Sequence, residues 1–222
     1  MKELSEKQTQ FVSRTADFVK KTLKNAEGGH DWFHTQRVYN NSLHIASGEK
    51  VNVFIVALGA LLHDIADSKF YGGDETVGPK MAQDFLDENK IEKRISDHVI
   101  AIIKNISFKG GNTTKAFDSA ELQVVQDADR LDAIGAIGIA RTFNYGGFKN
   151  RKLYDPEIRP QMDMDVETYK KSTAPTINHF YEKLLLLKDR MNTETGRNLA
   201  QERHTYMESF LDQFYKEWEG NR

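Results

Sequence analysis

Apolar residues recur at the spacing of a helix along most of the chain. Between residues 5 and 25, for example, this spacing places Phe11, Val12 and Val19 on one side of a helix. Comparable patterns predict further helices at residues 31–46, 52–67, 76–89, 91–105, 176–189 and 194–218, and one or two more at 120–143. Alternation typical of strands is hard to find, so the sequence predicts an all-α fold.

One segment, residues 144–164, interrupts this helical pattern. It is rich in glycine, proline and charged residues, which predicts a long loop. Its first part, residues 144–154, interleaves aromatic and cationic side chains, which suits either contact with a nucleotide or packing as a surface loop. Neither an internal repeat nor a low-complexity linker divides the sequence. We therefore predict a single domain over residues 1–222, with a helical C-terminal extension at about 165–219.

Composition and charge limit the classes of protein to which the chain can belong. With 39% hydrophobic and 29% charged residues, it has enough apolar material for a sizeable core and does not resemble a disordered chain. Its formal net charge of −2 predicts neither nucleic acid nor an anionic membrane as a partner. No apolar run approaches the ~18 residues of a membrane span. The polar N-terminus lacks the apolar stretch of a signal peptide, so cytoplasmic residence is the default expectation.

The chain contains no cysteine, so any bound metal must be held by His, Asp, Glu or Asn side chains. Disulfides, zinc–thiolate sites and cysteine nucleophiles are excluded for the same reason. A candidate site follows the apolar sequence GALL, where His63, Asp64 and Asp67 come within five residues. In a helix, residues three or four apart share one region of the surface. An imidazole beside carboxylates suits a divalent ion such as Mn, Fe, Co, Ni, Zn or Mg.

Two further segments offer side chains of the same kinds. The sequence GGHDWFHTQR places His30 and His34 one helical turn apart, and the sequence QDADRLDAIG contains Asp127, Asp129 and Asp132. Each segment alone has an ordinary explanation, as packed histidines or as a solvated acidic face. Together, one His, a His–Asp pair and one Asp from three helices would hold one ion and leave two octahedral positions open, and open positions are typical of catalytic sites.

In this order, the three segments resemble the HD-domain superfamily of metal-dependent phosphohydrolases. The likeness covers about residues 28–143 and rests on the motifs HDWFHTQRV, ALLHDIAD and DADRLDAIGAIGIARTF. The last motif is similar to a bacterial branch of the family, the YpgQ/YedJ-like proteins, whose studied members cleave nucleoside triphosphates. The resemblance implies an orthogonal helical bundle whose metal-site core lies at about residues 28–143.

The resemblance also implies roles for individual residues. The ligands of one divalent metal ion (Mn, Co, Ni, Fe, Mg or Zn) would be His34, His63, Asp64 and Asp129. Asp67 matches an acidic residue that works beside the metal in related nucleotidases, some of which have Glu there. With His30, it is a candidate catalytic residue. Four cations close in sequence to these segments are candidates for binding phosphate groups: Arg37, Lys69, Lys109 and Arg130.

These residues suggest hydrolysis of a small-molecule nucleotide by water that the metal activates. Cleavage of a nucleoside triphosphate to a monophosphate and pyrophosphate is the preferred reaction. A monophosphate nucleotidase, a cyclic-nucleotide phosphodiesterase and a hydrolase of a guanosine polyphosphate alarmone are alternatives, because a fold and a metal site do not determine the substrate. A non-catalytic nucleotide sensor and a purely structural ion are further alternatives. The sequence leaves both a monomer and a homodimer open, and also a role for His98.

Overall fold

The computed structural model describes residues 4–24, 26, 29–66, 71–106, 117–162, 164–165, 168 and 172–221. Over these ranges the chain forms helices joined by turns and loops, with no strand, so the all-α prediction is confirmed. The chain divides into two compact units, Met1–Asp129 and Arg130–Arg222, and each is described by itself. The single domain predicted from the sequence stays a prediction. Among the helices of the described ranges, none has the length and apolar composition that crossing a bilayer requires.

The first unit is built around one short, fully apolar helix. Its helices are α1 (Glu6–Thr22), α2 (Trp32–Gly48), α3 (Val53–Leu62), α4 (Val77–Glu88), α5 (Lys93–Asn105) and the larger part of α6 (Ala120–Asp132). Helix α3 packs against α1, α2 and α5, and all its residues from Phe54 to Leu62 are buried. Gly59 permits this packing, because a Cβ there would lie 3.2 Å from Ile102 Cδ1. A helix that is apolar on all sides forms a core, so α3 is the central element of this unit.

Both ends of α3 are determined by side chains that bond the backbone. Asn52 caps its N-terminus by accepting hydrogen bonds from the N–H groups of Phe54 and Ile55. At the other end, the ring of His63 bonds the carbonyl oxygen of Ala60. The helix ends at Leu62, earlier than the predicted 52–67, and residues 63–66 form a turn and bends. The prediction that His63 and Asp64 lie within a helix is therefore wrong.

The second unit contains α7 (Gly135–Phe148), α8 (Asn178–Glu182), α9 (Glu194–Trp218) and two 3₁₀ turns, Leu184–Leu186 and Lys188–Arg190. Helix α9 packs against α7 and has the bounds that the sequence predicts. The predicted helix at 176–189 is wrong, because Lys183 has non-helical backbone angles (φ −146°, ψ −56°) that separate α8 from the 3₁₀ turns.

The boundary between α7 and the loop after it also differs from the prediction. Helix α7 continues to Phe148, so the first five residues of the predicted loop 144–164 are helical. The glycines in this stretch favoured a loop, but Gly146 serves close packing instead. A Cβ added at Gly146 would overlap the side chain of Thr176. A glycine that is required by a neighbouring element therefore looked, in sequence, like a helix terminator.

Candidate metal centre

The first unit brings together the histidines and aspartates that the sequence marks as ligands. His34, His63 and Asp129 each offer one atom, and these three atoms lie within 4.8 Å of one another. His30, His34 and Asp64 form a second group by the same measure. Since His34 belongs to both groups, we call the five side chains the His/Asp cluster: His30, His34, His63, Asp64 and Asp129. The three segments predicted to share an ion thus converge.

His34 is positioned by the capping of α2. The Asp31 carboxylate accepts a hydrogen bond of 2.8 Å from the backbone N–H of His34, and the extended backbone of Asp31 starts the helix at Trp32. His34 therefore lies in the first turn of α2, where its side chain is buried. His30 precedes the helix, so the two histidines do not share one helical face as predicted. Their rings are nevertheless close, with centroids 5.8 Å apart.

His63 has a buried ring nitrogen for which the described residues provide no hydrogen-bond partner. Its Nδ1 lies 2.8 Å from the carbonyl oxygen of Ala60, which can only accept, so Nδ1 carries a hydrogen and the lone pair of the neutral ring is on Nε2. In the described part of the chain, Nε2 forms no hydrogen bond and lies 4.0 Å from Asp129 Oδ1. Buried polar atoms are normally hydrogen-bonded. An unpaired lone pair that faces a carboxylate is therefore the observation that best fits a bound cation.

Asp64 is held by His30. The distance from His30 Nδ1 to Asp64 Oδ2 is 2.5 Å. Burial by itself raises the pKa of the Asp64 carboxyl, but the hydrogen bond with His30 and the charges of His63, His30 and His34 lower it by more. The pKa of Asp64 therefore lies below its usual value, and the carboxylate is ionised at neutral pH, as a metal ligand must be.

The three aspartates near the end of α6 differ in their surroundings. Asp129 has a side chain that is 41% exposed, and its Oδ1 lies 3.5 Å from His34 Nε2. Asp127 and Asp132 are both buried, so the alternative of a solvated acidic face is wrong. Asp132 forms an ion pair of 2.5 Å with Arg141, within the second unit. Of these three aspartates, only Asp129 belongs to the His/Asp cluster.

The charge of the cluster favours a divalent cation. Asp64 and Asp129 carry two negative charges, and imidazoles that act as ligands are neutral. Within the described residues, neither carboxylate forms an ion pair with Lys or Arg, and the neighbours of both are histidines. Nitrogen and oxygen donors suit Mn, Fe, Co, Ni, Zn and Mg, and do not select one of them. The donor types present thus fit a divalent ion, and the predicted four ligands are divided between two groups that share His34.

The other predicted site residues are Asp67, Arg37, Lys69, Lys109 and Arg130. Asp67, Lys69 and Lys109 lie outside the described residues. Arg37 is partly buried on α2, three residues after His34. Arg130, in the second unit, donates a hydrogen bond of 2.7 Å to the backbone carbonyl of Arg190.

His98 is not part of the His/Asp cluster. Its Nε2 lies 2.9 Å from Ser119 Oγ and 3.5 Å from a carboxylate oxygen of Glu121. Among the described residues it belongs to neither group of candidate ligands. A partly buried histidine with two such neighbours has an ordinary structural explanation.

Two groups that orient the ligands were missed from the sequence. Asp31 carries a detectable signal, since an aspartate directly before a helical pattern is a common N-cap. The Ala60 carbonyl, which selects the tautomer of His63, carries none, because the direction of a backbone carbonyl at a helix end is decided only in the folded chain.

Comparison with known proteins identifies a matching family model and a relative that is similar over nearly the whole chain. Residues 32–134 match the model of the HD domain. The protein YpgQ of Bacillus subtilis is 39% identical over 223 residues, which cover 99% of this chain and 97% of YpgQ.

Solved structures with the same fold are also similar along nearly the whole chain. An HD-superfamily hydrolase from Bacillus thuringiensis has a TM-score of 0.78 and 44% identity, covering 96% of this chain and 98% of that one. The structure of B. subtilis YpgQ in complex with ADP has a TM-score of 0.75 and 35% identity, covering 95% of this chain and 96% of that one.

Proposed function

Since the chain belongs to the HD superfamily of hydrolases, we propose that it cleaves a nucleoside triphosphate to a monophosphate and pyrophosphate. The predicted family and the predicted enzyme class, a metal-dependent phosphohydrolase, are confirmed. One structural observation supports the proposal for this chain: the buried Nε2 of His63, which has no hydrogen-bond partner among the described residues, lies 4.0 Å from Asp129 Oδ1 within the His/Asp cluster.

Four side chains would hold the ion: His34, His63, Asp64 and Asp129. A bound divalent ion would supply a Lewis acid that polarises phosphoryl oxygens and makes water nucleophilic near neutral pH. The chain itself supplies orientation. The Ala60 carbonyl determines which nitrogen of His63 carries the lone pair, and His30 holds one oxygen of Asp64. Removing a group that orients a metal ligand in this way typically lowers metal affinity or activity by about 10- to 100-fold.

Arg37 is the described cation best placed to bind phosphate groups. It lies on α2 one turn after His34, so both side chains leave the same region of the helix. A guanidinium binds phosphate oxygens with two parallel hydrogen bonds, which orients the group as well as neutralising it. Lys69, Lys109 and Arg130 stay candidates for the same role.

The substrate class is supported by a relative. YpgQ of B. subtilis has been solved in complex with ADP. ADP contains the base, the sugar and a phosphoanhydride bond, all of which a nucleoside triphosphate shares. We therefore infer that this chain, similar to YpgQ over nearly its full length, also accepts a nucleotide.

The proposal is tested with a panel of substrates on metal-loaded protein. The panel contains ribo- and deoxyribonucleoside triphosphates, monophosphates, cyclic nucleotides and a guanosine polyphosphate, each with Mn, Co, Ni or Mg, and products are separated by ion-exchange chromatography. Triphosphates should yield monophosphate and pyrophosphate in equal amounts. Release of diphosphate and inorganic phosphate would contradict the proposed bond. No turnover of any phosphate ester or anhydride would contradict the proposal as a whole.

A matched pair of variants on one helix controls this experiment. His34→Asn removes a proposed ligand from α2, whereas His44→Asn changes an exposed histidine on the same helix. Turnover should be lost in the first variant and kept in the second. Equal loss in both would show that the activity does not depend on the His/Asp cluster.

Asp67 is proposed to accept or orient the proton of the attacking water. Substitution Asp67→Asn keeps the size of the side chain and removes its basicity. The variant should keep its metal content and lose about 10²- to 10⁴-fold in turnover, the range that general acid–base catalysis contributes. Metal analysis and single-turnover rates measure the two effects separately. An unchanged rate would remove Asp67 from the mechanism.

A further inference from the structure

The second unit contains a cavity of about 460 Å³ at the C-terminal end of α7. We name it the α7 cavity. Its size is within the range of small-molecule sites, about 300–1,000 Å³. The residues that contribute charged, hydroxyl or aromatic groups to its wall are Tyr145, Lys149, Arg151, Lys152, Ser172 and Thr173. Among the described residues that line it, none is acidic.

The backbone at the end of α7 builds one wall of this cavity. The N–H of Asn150 bonds the carbonyl of Gly147 at 3.0 Å, and the N–H of Arg151 bonds the carbonyl of Gly146 at 2.8 Å. These two bonds form a Schellman motif, which requires a left-handed residue after the helix. Asn150 adopts that conformation, with φ of 52°, which asparagine accepts more readily than most residues. The motif reverses the chain and directs Arg151 along the wall.

Two further backbone hydrogen bonds connect this wall to residues 176 and 177. The N–H of Thr176 donates to the carbonyl of Lys152 at 2.9 Å, and the N–H of Ile177 donates to the carbonyl of Leu153 at 3.0 Å. Two successive bonds of this kind hold both segments in register. The cavity is thus bounded by backbone that is already ordered, which lowers the entropy lost when a ligand binds.

Two cations of the α7 cavity have no acidic partner among the described residues. The partly buried Arg151 donates one hydrogen bond of 2.5 Å to the carbonyl of Ser172, which leaves its other N–H groups for a ligand. The exposed Lys149 has its Nζ 5.7 Å from the ring centre of Tyr145. In the part of the chain that is described, neither cation forms an ion pair, whereas Lys152 is paired with Asp155 at 2.7 Å. Two uncompensated positive charges therefore line one side of the cavity.

The histidine at position 179 has a pKa that is lowered mainly by burial and further by nearby positive charge. Burial lowers the pKa of His179 to about 4, and the charges of Lys183 and Arg151 act in the same direction. The ring is therefore neutral at pH 7 in surroundings that disfavour a further cation.

We propose that the α7 cavity binds the phosphate groups of a small phosphorylated ligand, with Lys149 and Arg151 as the main contacts. Two positive charges on one side of a cavity match a ligand with at least two phosphate groups, such as pyrophosphate or the polyphosphate of a nucleotide. Nothing in this inference depends on the His/Asp cluster, so it stands or fails separately from the proposed hydrolysis.

The test measures binding of pyrophosphate to the full chain by titration calorimetry, with EDTA present so that metal-bound phosphate does not contribute. Lys149→Glu should weaken binding about tenfold or more, since charged hydrogen bonds are among the stronger polar contacts. Lys149→Gln should weaken it less. Lys7→Glu, which changes net charge equally at an exposed position of α1, should leave binding unchanged.

Amide shifts in NMR spectra locate the site, and they should be largest at residues 149–153 and 172–176. ATP that displaces pyrophosphate, with no binding of adenosine, identifies a nucleotide polyphosphate as an accepted source of the phosphates. Pyrophosphate binding without displacement by ATP identifies the free anion as the ligand. Absence of saturable binding by pyrophosphate, or equal weakening by Lys149→Glu and Lys7→Glu, overturns the proposal.

Discussion

Two regions of the molecule contain buried or partly buried carboxylates, and the neighbours of these carboxylates differ between the two regions. In the second unit, Asp132 is paired with the guanidinium of Arg141 at 2.5 Å, so the charge is balanced within the chain. In the first unit, Asp64 and Asp129 face imidazoles, and the described residues provide no Lys or Arg ion pair for either. The first arrangement is complete, whereas the second leaves two negative charges near the lone pair of His63.

The difference shows how the same residue type serves structure or chemistry. A carboxylate with a guanidinium partner gains little from an added ion, because its charge is already compensated. A carboxylate among imidazoles can share a cation with them, because a neutral imidazole donates a lone pair without adding positive charge. Breaking each region should therefore have separate consequences, for metal binding in one and for stability in the other.

The largest effect is expected from His63→Asn, which removes the buried Nε2 of the His/Asp cluster. Bound metal should fall to near zero, and turnover should fall about 10³-fold or more, since a catalytic metal contributes several kcal/mol and each ~1.4 kcal/mol is tenfold. Elemental analysis and steady-state rates measure both. His98→Asn is the control, because His98 belongs to neither group of candidate ligands among the described residues. Full metal content in His63→Asn would remove this residue from the ligand set.

Breaking the other region should affect stability and spare the metal. Asp132→Asn leaves the partly buried Arg141 without its counter-charge, so the free energy of unfolding should fall by about 2–4 kcal/mol. Urea denaturation measures this change, and metal content should equal that of the unaltered protein. A variant that loses its metal but keeps its stability would show that Asp132 acts in the His/Asp cluster.

A smaller effect is expected from His30→Asn, which tests the orientation of Asp64. Metal affinity should fall about 10- to 100-fold, as is typical when a group behind a ligand is removed. Without the hydrogen bond from His30, burial raises the pKa of Asp64, so the variant should release metal at a higher pH. In the unaltered protein the lowered pKa keeps the carboxylate ionised as pH falls, and its contribution is lost only below the usual aspartate value of about 4.

At each pH, unbound metal is removed by filtration and the metal that stays with the His30→Asn protein is measured. The pH at which half of the metal is released gives the shift. His44→Asn, at an exposed position of α2, is the control and should release metal at the original pH. Release at the same pH in both variants would contradict the proposed role of His30.

The smallest effect concerns His179, a histidine near cations instead of carboxylates. Its pKa of about 4 lies below that of the unfolded chain, so its contribution is fully present above about pH 6.5 and is lost as pH falls toward 4. When the pH falls from 7 to 5, the free energy of unfolding should decrease in both proteins. The decrease should be about 1–2 kcal/mol smaller for His179→Gln than for the unaltered protein. Denaturation curves at both pH values test this, and parallel losses in the two proteins would contradict it.

The helical character of the chain could be predicted because it is a local property. The last helix, 194–218, has the predicted bounds, with Thr193 as its N-cap. Some helix ends were predicted less well. His63 and Asp64 follow α3 in a turn, and Gly146 lies inside α7, where Thr176 packs against it. The contact between Gly146 and Thr176 joins residues that are distant in sequence, and no local pattern records it.

By itself, the sequence determined the donor chemistry: no thiol, a His–Asp pair, and further histidines and aspartates in an order similar to that of a known family. Only the tertiary structure decided that atoms of residues 34, 63 and 129 meet within 4.8 Å and that Nδ1 of His63 bonds a carbonyl. It also decided that Asp132 pairs with Arg141, while Asp129 has only histidine partners among the described residues. The physical reason is that residue identity supplies lone pairs and charges. Their distances and their partners arise only when helices pack.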